Sequence, residues 1–497
     1  MIDFDRVSDV ELLRQVAKIQ DDEIRRLHNQ VTGLVRQLAA SKGKDAEEVE
    51  RQLRLLQEQL EEGYRKTYGQ GSERRPREEK PPKEREPQRG HGPTPQPELP
   101  LEEVIHPLDE ADQVCPECGG RLDEWNDQFD DSEEIDVVEI QYVRKKHRRK
   151  KYKCSCCDHL ETALGPQKLI PGGRYSLDFA IHSAIDKYSD HLPLERQTKR
   201  MNRAGLKISS QTLWDQIWAL SCCYHAAIER LHRHLLSKDV VIADETRWPL
   251  LGVKDRKTKN WFVWALVAED GVVYRIQDSR SNDAGKELLQ DFGGVVVCDG
   301  YIVYESLSKN GEFTVANDWC HVRRHLIAAE ASSPEEAGDL LDEIGELFKL
   351  EDEIEGQVAD LAPIEANRLR AQVRDERSRK IVARFGEKVS GIKALRESPI
   401  AKAARYIENR WDGLKRFLDD PRVPITSNAA ERSLRGPVLG RVNHFGSKSK
   451  RGTEVAAIFY SLIETAKLNG VEPHRYLREA ALAHLRGETV PLPHELV

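Results

Sequence analysis

Apolar positions along the chain keep several different rhythms. Near the start, Leu13, Ala17, Ile24, Leu27, Val31, Leu34 and Leu38 form a helical stripe between polar residues. It breaks at Ser41-Lys42-Gly43-Lys44 and resumes as Val49, Leu53, Leu56 and Leu60. So thin a face over so few heptads predicts a coiled-coil arm, residues 1–68, covered by a second copy of the chain; packing on the chain's own body is the alternative. Residues 69–100 lose the rhythm, and their eight prolines, four glycines and alternating charge predict a linker. Helical spacing returns over 161–236, where Leu213, Ile217 and Leu220 follow the cap signal Ser209-Ser210. Helix, Gly205 break and capped helix together resemble a helix-turn-helix.

From residue 237 the pattern changes to short unbroken apolar runs. Residues 240–243, 261–267, 272–276 and 295–298 read as strands, with Asp270-Gly271 turning the second into the third. A helix is predicted at about 282–292 and a fifth strand at 313–316. Residues 329–420 are helical again, opening with twelve Asp/Glu against one Lys between 329 and 360. Further helices start near Asn428 and Thr453, the second carrying Val455, Phe459, Leu462 and Ala466 on one face and stopping at Asn469-Gly470.

At 497 residues, 39% hydrophobic and 33% charged, the chain has room for several domains and enough apolar content for a core. No apolar run approaches the ~18 residues of a spanning helix, and the acidic start, MIDFDRVSDVELLRQ, does not read as a signal peptide. The expectation is a cytoplasmic protein without membrane contact. The net charge of −8 confines nucleic-acid binding to local basic patches.

Two Cys-x2-Cys pairs, Cys115/Cys118 and Cys154/Cys157, lie 35 residues apart within residues 101–160. Four thiolates on two knuckles predict a closed structural Zn2+ site, whose metal supplies folding energy that a module so small lacks. Running into the second knuckle, Arg144, Lys145, Lys146, Arg148, Arg149, Lys150 and Lys151 predict a strand that meets DNA phosphates, with a solvated charged face as the plainer alternative.

The candidate chemistry lies at two strand ends. The first strand runs into Asp244-Glu245-Thr246 and the fourth into Asp299-Gly300-Tyr301. Strand, strand, strand, helix, strand, with an acid closing the first and the fourth, is the layout of a ribonuclease-H-like core (237–328). Two such carboxylates suit Mg2+ or Mn2+. A third acid from a helix is offered by Asn428-Ala-Ala-Glu431-Arg-Ser-Leu-Arg435, where Asn428, Glu431 and Arg435 share a face. Trp319, His321, Arg323 and Arg324 follow the fifth strand and read as supporting or DNA-backbone residues.

These motifs together resemble the transposases of IS66-type bacterial insertion sequences. The likeness rests on Gly71-Ser72-Glu73 at the end of the arm, both cysteine pairs and His191-Leu-Pro-Leu-Glu-Arg-Gln197. It also rests on Asp244-Glu-Thr246, Asp299-Gly-Tyr301, Trp319-Cys-His321, Asn428 to Arg435 and Ser461 to Pro473. The resemblance implies a DDE-type enzyme that cleaves element ends and joins their 3′-hydroxyls to target DNA. Its metal triad would be Asp244, Asp299 and Glu431. The fold would be multidomain α+β and α/β, with a helical insertion at 329–420, a core helix at 421–450 and a C-terminal segment at 451–497. Double-stranded DNA, a homo-oligomer built through the arm, and element-encoded accessory proteins are the implied partners. Three positions depart from the family pattern. Thr426-Ser427-Asn428 stands for Asp-Asn-Asn, Asp318 for a common Cys, and Arg441-Val442-Asn443 for Arg-Lys-Asn. A DNA-binding regulator derived from a transposase is therefore the alternative reading.

Overall fold

The computed structural model describes residues 141–153, 160–251, 259–311, 313–394 and 396–496, together with Glu117. The predicted arm, the linker and the four zinc-ligand candidates Cys115, Cys118, Cys154 and Cys157 lie outside the described residues. The chain divides into two compact units, residues 74–145 and the remainder, and every element below belongs to the larger.

A short antiparallel pair, β1 (Lys151–Lys153) and β2 (Leu160–Thr162), is followed by four helices: α1 (Leu177–Tyr188), α2 (Leu194–Arg203), α3 (Ser210–Cys222) and α4 (His225–Leu236). Ser209 caps α3 by accepting from the Thr212 N–H at 3.2 Å, and Gly205 takes the left-handed turn that ends α2. Leu213, Ile217 and Leu220 of α3 are fully buried, so that face is packed inside the protein.

The central sheet has five strands: β3 (Val240–Leu250), β4 (Lys259–Ala268), β5 (Gly271–Gln277), β6 (Val295–Cys298) and β7 (Thr314–Asn317). Their order is β5-β4-β3-β6-β7, with β3–β4 and β4–β5 antiparallel and β3–β6 and β6–β7 parallel. Helix α5 (Asn282–Leu289) makes the crossover from β5 to β6, and α6 (Ile302–Asn310) that from β6 to β7. Strand β3 is longer than its apolar run suggests. Beyond Ala243 it goes on through polar residues, because its pairing with β4 extends to Leu250.

After β7 come α7 (Trp319–Glu330), α8 (Pro334–Val358), α9 (Pro363–Val373), a short π-turn, α10 (Arg379–Ser390), α11 (Pro399–Asn409) and α12 (Trp411–Asp419). These helices enclose a second apolar core that includes Val297, Trp319, Phe385 and Phe417. The chain then returns to the sheet as α13 (Asn428–His444), α14 (Lys450–Leu468) and α15 (Pro473–Leu485). Alternation along β3 puts Asp244, Thr246 and Trp248 on one face, and helices α13 and α14 cover it. Arg441 of α13 bonds Thr246 Oγ1 at 3.2 Å, and Trp248 donates to Ser447 Oγ at 3.1 Å. Helix α14 also closes the sheet's outer edge. Ser461 Oγ accepts the Tyr274 N–H at 2.8 Å, and Thr465 Oγ1 accepts from and donates to Val272, both at 3.0 Å. Among the described residues no helix is long and apolar enough to cross a membrane.

Candidate active site

The two aspartates meet through strand register. Strands β3 and β6 pair in parallel up to Ile242 opposite Val297 and then part. Asp244 and Asp299 each lie two residues further on, so they share the face of Ile242 and Val297 at the point of divergence. Asp244 is thus inside a strand rather than at its end, where the sequence had placed it. Its Oδ1 accepts the Glu245 N–H at 2.8 Å. Asp299 Oδ1 accepts the Tyr301 N–H at 2.8 Å, which folds the turn after β6. Burial, the neighbouring charge of Glu245 and, more weakly, Asp299 and Glu431 push the Asp244 carboxyl up to about 7.

Glu431 lies in the first turn of α13, half-buried, and its Oε1 accepts from Arg324 of α7 at 2.6 Å. Arg324 also reaches His321 Nε2 at 2.9 Å, and His321 Nδ1 lies 2.9 Å from Asp318 Oδ2. Asp318 caps α7 through its other oxygen, 2.7 Å from the Cys320 N–H. Burial opposes a charged His321, but the bond to Asp318 and its charge outweigh this, and the pKa lies above the ordinary value. Asp318, His321 and Glu431 form one of two groups of possible metal ligands among the described residues whose atoms all lie within 4.8 Å. The triad of Asp244, Asp299 and Glu431 is not gathered that closely.

The second group, His234, Asp270 and His494, has a cation already in place. Lys238 Nζ bonds Asp270 Oδ2 at 2.7 Å and His234 Nε2 bonds the same oxygen at 2.8 Å. It holds the last turn of the chain against α4 and the β4–β5 hairpin.

Glu245, next to Asp244, points the other way. Its side chain is buried, accepts from Tyr304 Oη at 2.8 Å and pairs with Arg280. Arg280 lies over the Tyr301 ring at 3.8 Å, and Tyr301 Oη donates to the Arg280 carbonyl at 2.6 Å. Sequence reasoning missed this group. The only available signal was the second acid of Asp244-Glu245, which pattern alone cannot assign to a face.

The other candidates divide. Trp319, grouped with the supporting or DNA-backbone residues, is buried in the second core and donates its indole N–H to the Leu414 carbonyl at 2.9 Å, anchoring α7. Asn428 bonds the Cys320 side chain at the N-terminus of α13. Arg323 is half-buried on α7, whereas Arg435 is exposed one turn beyond Glu431. Lys146, Arg148, Arg149, Lys150 and Lys151 are exposed on and before β1. Arg144 and Lys145, exposed as well, belong to the smaller unit.

The donor set fits a hard divalent cation. All three candidate ligands are carboxylates, burial and the neighbouring acids raise the Asp244 carboxyl to about 7, and among the described residues no lysine or arginine bonds Asp244. A sheet of this order flanked by helices is consistent with a ribonuclease-H-like core.

The chain belongs to the IS66 transposase family. The profile of that family matches residues 172–455, and that of the zinc-finger binding domain of IS66 transposases matches 112–158. Among similar proteins of Sinorhizobium fredii, Uncharacterized protein y4qI is 32% identical over 403 residues, covering 76% of this chain and 71% of its own. Uncharacterized protein y4jD is 29% identical over 414 residues, covering 79% and 78%. Metal-dependent, DDE-type transposase function in general follows from this membership and from the Asp318, His321 and Glu431 group of possible metal ligands.

Proposed function

We propose that the protein cleaves the ends of its own element and joins the freed 3′-hydroxyls to target DNA, with Asp244, Asp299 and Glu431 holding Mg2+ or Mn2+. The observation that carries this reading is the register that sets Asp244 beside Asp299 where β3 and β6 part, under the helix bearing Glu431. A divalent ion on these oxygens would supply Lewis acidity toward the phosphodiester and lower the pKa of the attacking water or hydroxyl. The protein's own part is placement. Water adds to the end phosphodiester and the 3′-oxygen leaves; that 3′-oxygen then attacks the target phosphorus and displaces another 3′-oxygen. Neither step uses a covalent protein intermediate, so no serine or tyrosine nucleophile is needed. Exposed Arg435 on the Glu431 helix, together with the basic residues 144–151, takes DNA phosphates. A Zn2+ held by Cys115, Cys118, Cys154 and Cys157 fixes the basic strand, and the arm pairs protomers across two ends, with accessory proteins completing the assembly.

The test uses labelled duplexes carrying the DNA that flanks this gene, with Mg2+ or Mn2+ and the full chain. Cleavage that needs the metal and falls roughly a hundredfold or more in Asp244→Asn, Asp299→Asn and Glu431→Gln is the expected result. Tight binding without cleavage in either metal would favour the regulator. Cleavage surviving Glu431→Gln would mean that a different third acid is used.

A further inference from the structure

Asp318 spends more hydrogen-bonding capacity than a helix cap needs. Its side chain is wholly buried, and Oδ1 alone caps α7 through the Cys320 N–H at 2.7 Å. Oδ2 accepts the Ser427 hydroxyl at 2.9 Å and lies 2.9 Å from His321 Nδ1. Ser427 immediately precedes α13, so one carboxylate ties together the N-termini of the two helices that carry Arg324 and Glu431.

The direction of the chain follows from donor chemistry. Arginine only donates. In neutral His321, Arg324 Nη1, 2.9 Å from His321 Nε2, therefore meets a lone pair, and the imidazole proton then sits on Nδ1 facing Asp318. The second arm of the same guanidinium, Nη2, donates to Glu431 Oε1 at 2.6 Å. Asp318 selects the histidine tautomer, the histidine aims the guanidinium, and the guanidinium aims Glu431. Residues 318, 321 and 324 follow one another at intervals of three on and before α7, so the relay runs along one helix face from the core to the site.

We propose that Asp318 is a positioning residue: acting through His321 and Arg324, it fixes the orientation in which Glu431 receives its divalent ion. The proposal rests on the reading of Glu431 as a metal ligand. Asp318→Asn isolates the effect. It keeps the shape and, through Oδ1, the cap, but presents an NH2 to His321 Nδ1. The favoured tautomer then places the imidazole proton on Nε2, against the Arg324 donor.

The experiment is a Mn2+ titration of the full, zinc-loaded chain, read as free Mn2+ by electron paramagnetic resonance and paired with the cleavage assay. Asp318→Asn is expected to raise the half-saturating Mn2+ roughly tenfold, the loss typical of removing a group that orients a metal ligand. His321→Ala should do the same, which keeps the test available if Asp318→Asn does not fold. Combining either with Arg324→Lys should give no more than the single Arg324→Lys loss, because all act through one guanidinium. Ser427→Ala removes a bond to the same oxygen without altering the tautomer and should lose less Mn2+ affinity than Asp318→Asn.

Unchanged Mn2+ affinity in folded Asp318→Asn, losses that multiply with Arg324→Lys, or an equal loss in Ser427→Ala would each overturn the relay. Wild-type protein showing the expected Mn2+ dependences but no cleavage would overturn the strand-transfer reading and leave the relay standing. Cleavage by a protein whose Mn2+ affinity ignores position 318 would do the reverse. No saturable Mn2+ binding at all would overturn both.

Discussion

Tyr304 Oη donates to Glu245 Oε2 at 2.8 Å, turning the acid that adjoins Asp244 to the opposite face of the sheet. Arg280 completes its neutralisation, and the Arg280 guanidinium in turn lies on Tyr301, two residues after Asp299. Removing one partner of such a pair costs more than the pair contributes, because the survivor is left charged in the interior. Arg280→Ala should therefore destabilise the protein by about 2–3 kcal/mol, less than a fully enclosed pair because Arg280 is partly exposed and Glu245 can take a proton. Adding Glu245→Gln, which still accepts from Tyr304, should recover most of that loss. Urea denaturation of the two single variants and the double variant checks it, and additive losses would show that the two side chains act independently.

Much of the sheet could be read from the chain because its apolar runs are short, unbroken and punctuated by turn residues. Parallel register then converts two acids at like distances from paired residues into neighbours. The length of β3 was hidden: Asp244, Thr246 and Arg247 are polar at the positions where the strand borders the site, so the run looks finished at Ala243. Glu245 and Arg280 were not legible, since a pairing across 35 positions leaves no periodic trace. Ser461 and Thr465 stood out only as part of a family motif, and the sheet supplies the reason, two hydroxyls that satisfy the edge strand. Two of the departures from the family pattern are in direct contact. Ser427, just before α13, and Asp318, at the cap of α7, are hydrogen-bonded at 2.9 Å.

The carboxylate cluster should cost the metal-free protein stability. The folded pKa of Asp244, raised to about 7 by burial and by Glu245, Asp299 and Glu431, lies above its unfolded value. The folded state therefore binds the extra proton between about pH 4 and 7, and stability rises as pH falls through that window. At pH 8, Asp244→Asn should stabilise zinc-loaded protein without added Mg2+ or Mn2+, by on the order of 2–4 kcal/mol. The advantage should vanish near pH 4. Thermal midpoints across this range decide the matter; a variant no more stable than wild type at pH 8 would contradict it.

His444 works in the opposite sense. At the end of α13 it is half-buried; that burial, with the charge of Lys187, pushes its pKa down to about 4, although the ring bonds the Gly446 carbonyl at 3.0 Å. Because the folded value lies below the unfolded one, the unfolded chain binds the proton first, and stability is lost as pH falls from about 6.5 to 4. The loss should reach roughly 3 kcal/mol at the lower limit. His444→Gln should flatten this part of the profile, measured by urea denaturation at pH 7, 5.5 and 4.5. An equally steep decline in the variant would place the acid sensitivity elsewhere.

The helices between β7 and α13 grip the turn that carries Asp299. Arg410, between α11 and α12, donates to the Gly300 carbonyl at 2.7 Å, pairs with Glu305 at 3.1 Å and lies over the Tyr406 ring at 4.2 Å. A methyl group on Gly300 would overlap the Arg410 guanidinium and the Tyr406 ring, so the glycine after Asp299 is required by close approach rather than by its backbone angles. Gly300→Ala must displace Arg410 or the turn. The expected result is a stability loss of about 1–3 kcal/mol and a fall in metal-dependent cleavage of roughly tenfold or more, since a small misplacement of a reacting group is costly. Gly345→Ala on α8 is the control: nothing lies within 4 Å of its added methyl, and alanine favours a helix, so stability should hold or rise by about 0.5–1 kcal/mol with cleavage unchanged. Comparing both variants by thermal melts and cleavage rates separates a grip on the site from a general effect on folding. If Gly300→Ala loses stability but keeps the wild-type rate, the insertion supports the fold without holding Asp299 in place.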